Sequence, residues 1–117
     1  LKKLTCIYKA NPGDGASYKA QAVDGRCRVF VVWSGGSTLT AEGSPAPQIK
    51  FYNGSSVSGT DLRLQLTDTM NNGEYAYGSH WCVDLPSDGI LFEDGLWIHF
   101  ANLTYGVTVL VSGGAAS

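Results

Sequence analysis

Ile90-Leu91-Phe92-Glu93-Asp94-Gly95-Leu96-Trp97-Ile98-His99-Phe100 is the stretch that decides the fold. Its apolar residues return at every second position. Ile90 and Phe92 share one face, as do Leu96, Ile98 and Phe100, and the same beat resumes at Tyr105, Val107, Val109 and Val111. A period of two is the side-chain period of a β-strand, so the segment predicts two or three strands, each with one buried face. Glu93-Asp94-Gly95 separates two of the runs. Asp-Gly favours a tight hairpin, because Gly accepts positive φ and Asp tolerates it.

The same pattern extends toward the N-terminus. Leu4-Thr5-Cys6-Ile7-Tyr8 is a short β-prone run, broken by Pro12, Gly13 and Gly15. Ser17–Val23 is ambiguous and ends at an Asp24-Gly25 turn. Cys27-Arg28-Val29-Phe30-Val31-Val32-Trp33 is the most continuously apolar run. Strict alternation puts Val29, Val31 and Trp33 on one face and Phe30 and Val32 on the other. Apolarity on both faces suits a central strand, or one whose outer face meets a partner. Gln48–Tyr52 points Ile49 and Phe51 inward. Asp61-Leu62-Arg63-Leu64-Gln65-Leu66 reads as a strand with its leucines on one face, since a helix would scatter them. His80–Leu85 groups Trp81, Val83 and Leu85.

Turn signals recur at roughly ten-residue spacing and no long helix is indicated. The expected fold is all-β: an antiparallel β-sandwich or jelly roll of seven to eight short strands, with a closed barrel as the structural alternative. The 117 residues are expected to form a single domain over 1–117, with an N-terminal arm over 1–5 and a flexible tail over 113–117. Hydrophobic residues make up 44% of the chain, enough for a core without metal or disulfide. A charged fraction of 15% and a net charge of −2 argue against a nucleic-acid partner. No apolar run approaches the roughly 20 residues needed to span a bilayer, so no membrane partner is expected. The chain opens on Leu1 rather than Met. Cys6, Cys27 and Cys82 are an odd count without CxxC spacing and read as three reduced, semi-buried thiols, with a single disulfide and one free thiol as the minority alternative.

The residues do not assemble a recognisable catalytic centre. His80 and Cys82 sit two apart on one strand face, but a zinc site needs three or four ligands. Glu93, Asp94, Asp84 and Asp88 lie at turns, where turn chemistry accounts for them before a glycosidase pair does. No nucleophile elbow, P-loop or dinucleotide fingerprint occurs. The expectation is therefore a protein that is not an enzyme, with no catalytic, cofactor or metal site. Trp33, Trp81, Trp97, Tyr52, Tyr75 and Tyr77 could build a sugar-stacking platform; core packing and loop anchoring compete with that reading. Alternation sets Trp97 opposite Leu96 and Ile98, so one of those sets faces outward, and an outward Trp is an interface signal. Asn53-Gly54-Ser55 and Asn102-Leu103-Thr104 match the glycosylation tripeptide, a pattern frequent by chance.

The order Gln48–Ser56, Ser58–Leu62, Asp88-Gly89-Ile90-Leu91-Phe92-Glu93-Asp94-Gly95-Leu96-Trp97-Ile98 and Val107-Thr108-Val109-Leu110-Val111 resembles a family of small β-sandwich proteins encoded among the structural genes of tailed bacteriophages. The resemblance covers roughly residues 27 to 112 and is most specific over Gly89–Leu96. Leu91 stands where a polar or basic residue is more usual. The resemblance implies a virion component made in the host cytoplasm: a capsid decoration or cement protein, or a tail or fibre accessory. Its partners would be the major capsid protein or other virion subunits, and further copies of itself in a homo-oligomer. The candidate contact residues are Leu1 and Leu4 in the N-terminal arm, Tyr75, Tyr77 and His80 in the loop before Trp81, and Trp33 as an outward aromatic. A carbohydrate-binding adhesin module, with glycan as partner, is the rival reading.

Overall fold

The alternating runs become strands in the computed structural model of the chain, which describes residues 3–12, 18–34, 48–54, 61–67, 82–101 and 106–117. The strands are β1 (Leu4–Ala10), β2 (Tyr18–Asp24), β3 (Cys27–Ser34), β4 (Gln48–Asn53), β5 (Asp61–Thr67), β6 (Cys82–Asp84), β7 (Ile90–Phe92), β8 (Gly95–Ala101), β9 (Gly106–Ser112) and β10 (Ala115–Ala116). They form two antiparallel sheets packed as a sandwich. Sheet A runs β1-β9-β3-β6, with β7 also paired to β3; sheet B runs β10-β2-β8-β4-β5. The barrel alternative is set aside for the sandwich, and the described residues form ten short strands where seven to eight were expected. The two-residue β10, paired beside β2, is a piece that local pattern does not reveal.

The core lies between the sheets. Leu96, Ile98 and Phe100 of β8 face Val107, Val109 and Val111 of β9, all buried, and Phe51 and Phe92 complete the largest contacts. Each such side chain contributes about 1.5–3 kcal/mol when fully removed from water.

Three one-residue bulges move side chains between faces. In β3 the register passes from Val29↔Val111 to Val31↔Leu110 and leaves Phe30 over. Val29 and Val32 therefore point inward, while Val31 and Trp33 point outward, which corrects the grouping given by strict alternation. The freed Phe30 carbonyl accepts the Leu85 N–H at 2.8 Å. In β5 the register passes from Phe51↔Leu64 to Tyr52↔Leu62, so Arg63 is the extra residue. Leu64 and Leu66 pack against the core, but Leu62 joins Tyr52 on the outer face and is 44% exposed. The expectation of all three leucines on one face is thus corrected by the bulge. In β2, Ala22 is the extra residue between Gln21↔Trp97 and Val23↔Leu96, and both Ala22 and Val23 are buried.

Glu93-Asp94-Gly95 does not close a hairpin within one sheet. β7 pairs with β3 in sheet A, whereas β8 pairs with β2 and β4 in sheet B, so the turn carries the chain from one sheet to the other. Gly95 has φ +131°, and a Cβ there would stand 2.7 Å from the Gly54 carbonyl oxygen. The corner therefore needs glycine for conformation and for space.

Parts of the expected arm and tail enter the sheets. Leu4 and Thr5 belong to β1, paired with Ser112 and Val111, because a β-prone run beside the free edge of β9 completes the sheet. At the other end, Gly113 and Gly114 cross between sheets, and Ala115 and Ala116 then pair with Asp24 and Val23. The Ser117 N–H donates to the Ala22 carbonyl at 3.1 Å.

Candidate functional site

Register and burial define two outer faces of different chemistry. On sheet A, the cross-strand rows place Cys6, Leu110 and Val31 side by side, with Asp84 at the end of that row. The next row holds Tyr8, Thr108, Trp33 and Cys82. Leu4, Ser112, Arg28 and Leu91 form a third. Leu4 is 48% and Tyr8 60% exposed; Leu110, Val31 and Trp33 are half-buried. The centre of this face is apolar, and its described charges, Arg28 and Asp84, lie on the β3 and β6 side.

Sheet B presents a different surface. One outward row is Lys19, His99, Lys50 and Gln65; the next is Gln21, Trp97, Tyr52 and Leu62. The Tyr52 and His99 rings lie 6.5 Å apart, tilted by 38°. Burial holds the His99 imidazole below its ordinary pKa, and the charges of Lys19 and Lys50 push it the same way. The Trp97 indole N–H is buried and meets no acceptor among the described residues.

The turn carboxylates have structural partners. Arg63 bridges Asp61 at 2.7 Å and Glu93 at 2.8 Å. Its guanidinium holds both carboxyls below the usual carboxylate range, and its own pKa is raised, first by the bond to Asp61. Asn53, which is buried, accepts the Asp94 N–H at 2.9 Å and donates to the Asp94 and Asp61 carboxylates at 3.3 Å each. Its glycosylation tripeptide is therefore explained as a packing residue. Among the described residues no group of three or more His, Cys, Asp and Glu is placed to hold a metal, and no helix is long and apolar enough to cross a membrane. An open hollow of about 200 Å³ is lined by Arg26, Arg28, Leu91 and Ser112 beside the buried Cys27.

Of the residues proposed from sequence as partner contacts, Leu4 and Trp33 come to the same outer face of sheet A. Leu1, Tyr75, Tyr77 and His80 lie outside the described residues. The supposed single aromatic platform is divided: Trp33 belongs to sheet A, whereas Trp97 and Tyr52 are cross-strand neighbours on sheet B. Trp81, like Tyr75 and Tyr77, lies outside the described residues. Tyr8, Val31 and Leu110 share that outer face and are not among the residues the sequence singled out. The signal for Leu110 was present, since inward Val109 and Val111 imply an outward residue between them.

No protein-family model matches the chain, and no curated protein is similar to it.

Proposed function

We propose that this protein is a structural component of a virus particle, a decoration or cement protein that docks on the head surface through the outer face of sheet A. The observation that carries the reading is the apolar face itself. Leu4, Cys6, Tyr8, Val31, Trp33 and Leu110 adjoin one another across three strands, on the side of the sheet turned away from the core. Taking strands about 4.8 Å apart and about 3.4 Å per residue, three to four strands of seven residues cover about 350–450 Å². A stable interface takes about 800 Å² from each partner. This face supplies roughly half of that area. The resemblance of the Gly89–Leu96 block to small phage structural proteins supports the virion setting, and the major capsid protein or other virion subunits are the partners it implies.

The test uses particles stripped of this protein, to which purified protein is added back. Leu110→Glu and Tyr8→Ala, alone and together, abolish or greatly reduce occupancy on the particle while melting within a few degrees of the parent. Gln65→Glu, on the opposite sheet, leaves occupancy unchanged. Full occupancy by the double variant removes sheet A as the docking face, and recovery of the protein only on tails assigns it to the tail instead.

A further inference from the structure

Sheet B turns outward a surface that docking through sheet A does not use. Its two central rows cross β2, β8 and β4. The first carries Lys19, His99 and Lys50; the second carries Gln21, Trp97 and Tyr52. Among the described residues of these rows there is no carboxylate. Lys19 and Lys50 stand on either side of His99 in that row, and like charges gathered on one face repel unless something negative lies across them. Asp61 and Glu93 are engaged by Arg63 at the flank of the sandwich, and Asp24 pairs with Gly95 beyond the Gln21–Trp97 row, away from the lysines.

We propose that the outer face of sheet B binds an acidic polysaccharide, a chain of carboxylated sugars lying across strands β2, β8 and β4. Strands lie about 4.8 Å apart, close to the advance of a sugar chain per pyranose ring, so successive sugars sit over successive strands. The Trp97 and Tyr52 rings offer apolar surface to pyranose C–H faces, and the Gln21 amide pairs with hydroxyls. The row holding the two lysines runs parallel to the aromatic row, about 6.8 Å farther along the strands, within reach of carboxylates projecting from one side of the sugar chain. Charge-assisted bonds from Lys19 and Lys50 then give the preference for an acidic chain. A nucleic-acid strand fits less well, since the described residues of these two rows include no arginine and the whole chain carries a net charge of −2. The groups facing His99 from the neighbouring strands are Lys19 on β2 and Lys50 and Tyr52 on β4. A bound carboxylate favours the imidazolium, so binding tightens as pH falls from 7 toward 5.5.

The whole chain is titrated with oligogalacturonate, with a neutral cello-oligosaccharide and with single-stranded oligothymidylate, each followed by amide NMR. Oligogalacturonate gives saturable shifts at Lys19, Trp97 and Lys50, and the cello-oligosaccharide does not. Lys19→Gln with Lys50→Gln weakens oligogalacturonate binding by about tenfold or more at an unchanged melting temperature. The proposal is overturned by any of four results: no saturable oligogalacturonate binding at millimolar concentration, equal binding of the neutral sugar, tighter binding of oligothymidylate, or undiminished affinity in the double variant. None of these touches Leu110 or Tyr8, so the particle-docking reading stands or falls separately.

Discussion

Arg63 donates from Nη1 to the carbonyl oxygen of Leu91 at 2.8 Å, joining the edge of sheet B to the β7 segment of sheet A. Arg63 reaches there because it is the bulged residue of β5, freed from pairing with β4. The same guanidinium holds Asp61 and Glu93. A bulge on an edge strand thus serves as a clasp between the two layers, and it spoils the edge as a template for pairing with another chain.

Removing the clasp is expected to cost little in energy but to show clearly in pH dependence. Arg63→Ala loses the bond to Leu91, worth about 1 kcal/mol. The carboxyls of Asp61 and Glu93 are held below their ordinary values in the folded protein. Their contribution is therefore fully present above the unfolded carboxylate pKa of about 4 and is lost as pH falls through the lower folded values. Urea melts between pH 7 and pH 2 will show the parent losing stability in acid more steeply than Arg63→Ala. Parallel curves for the two proteins would show that the ion pairs contribute nothing.

Asn53 clamps the other side of the same corner. Asn53→Ala leaves the Asp94 N–H without its acceptor in a part-buried site, and a loss of about 2–3 kcal/mol is expected. Asn53→Asp keeps the shape but sets a third carboxylate against Asp61 and Asp94. Its folded-state pKa is expected to rise, so this variant regains stability as pH falls, opposite in sign to the parent. Chemical denaturation at pH 7 and pH 4 distinguishes the two substitutions.

The three cysteines separate by burial. Cys6 and Cys82 are exposed, whereas Cys27 is buried and its thiol is pushed up to about 11 by desolvation. The thiolate is the reactive species. At pH 8 a disulfide reagent is expected to titrate two thiols rapidly and the third only on unfolding. Rapid reaction of all three would mean that the Cys27 end of the sandwich opens readily.

Leu62 and Leu64 test how far alternation can be trusted. Leu62→Ala is expected to change stability by less than about 0.5 kcal/mol, and Leu64→Ala to cost about 1.5–2.5 kcal/mol. In sequence the two leucines are equivalent. The strands and buried faces of Leu96–Phe100 and Val107–Val111 are legible because alternation holds wherever pairing is one to one. At Arg63 and Phe30 an extra residue breaks that pairing and local sequence carries no mark of it. In Val29–Trp33 every residue is apolar, so either face assignment looks equally good. The candidate docking face was legible only in part for a related reason. Trp33 and Leu4 stand out singly, but their union with Leu110 and Tyr8 depends on β1 pairing with β9, an association of opposite ends of the chain such as Leu4↔Ser112. The sheet B rows likewise depend on β8 lying between β2 and β4.

Gly95 and Gly25 separate the two reasons for glycine at the sheet-to-sheet corners. Gly25 has φ +88° with nothing within 4 Å of an added Cβ, so Gly25→Ala is expected to cost only the backbone strain, about 1–2 kcal/mol. Gly95 has φ +131°, and its added Cβ would lie 2.7 Å from the Gly54 carbonyl and 3.0 Å from that of Val23. Those are backbone atoms of β2 and of the residue just after β4, on either side of β8. Relieving the contact pulls at the bond from the Gly54 N–H to the Gly95 carbonyl, 3.2 Å long. Gly95→Ala is therefore expected to cost about 3 kcal/mol or more, strain and displacement together, a large share of the total stability of a domain this size. Thermal melts of the two variants decide the matter. Equal losses would mean that the close approach of β4 and β2 over Gly95 is slack, and that conformation alone selects glycine at this corner.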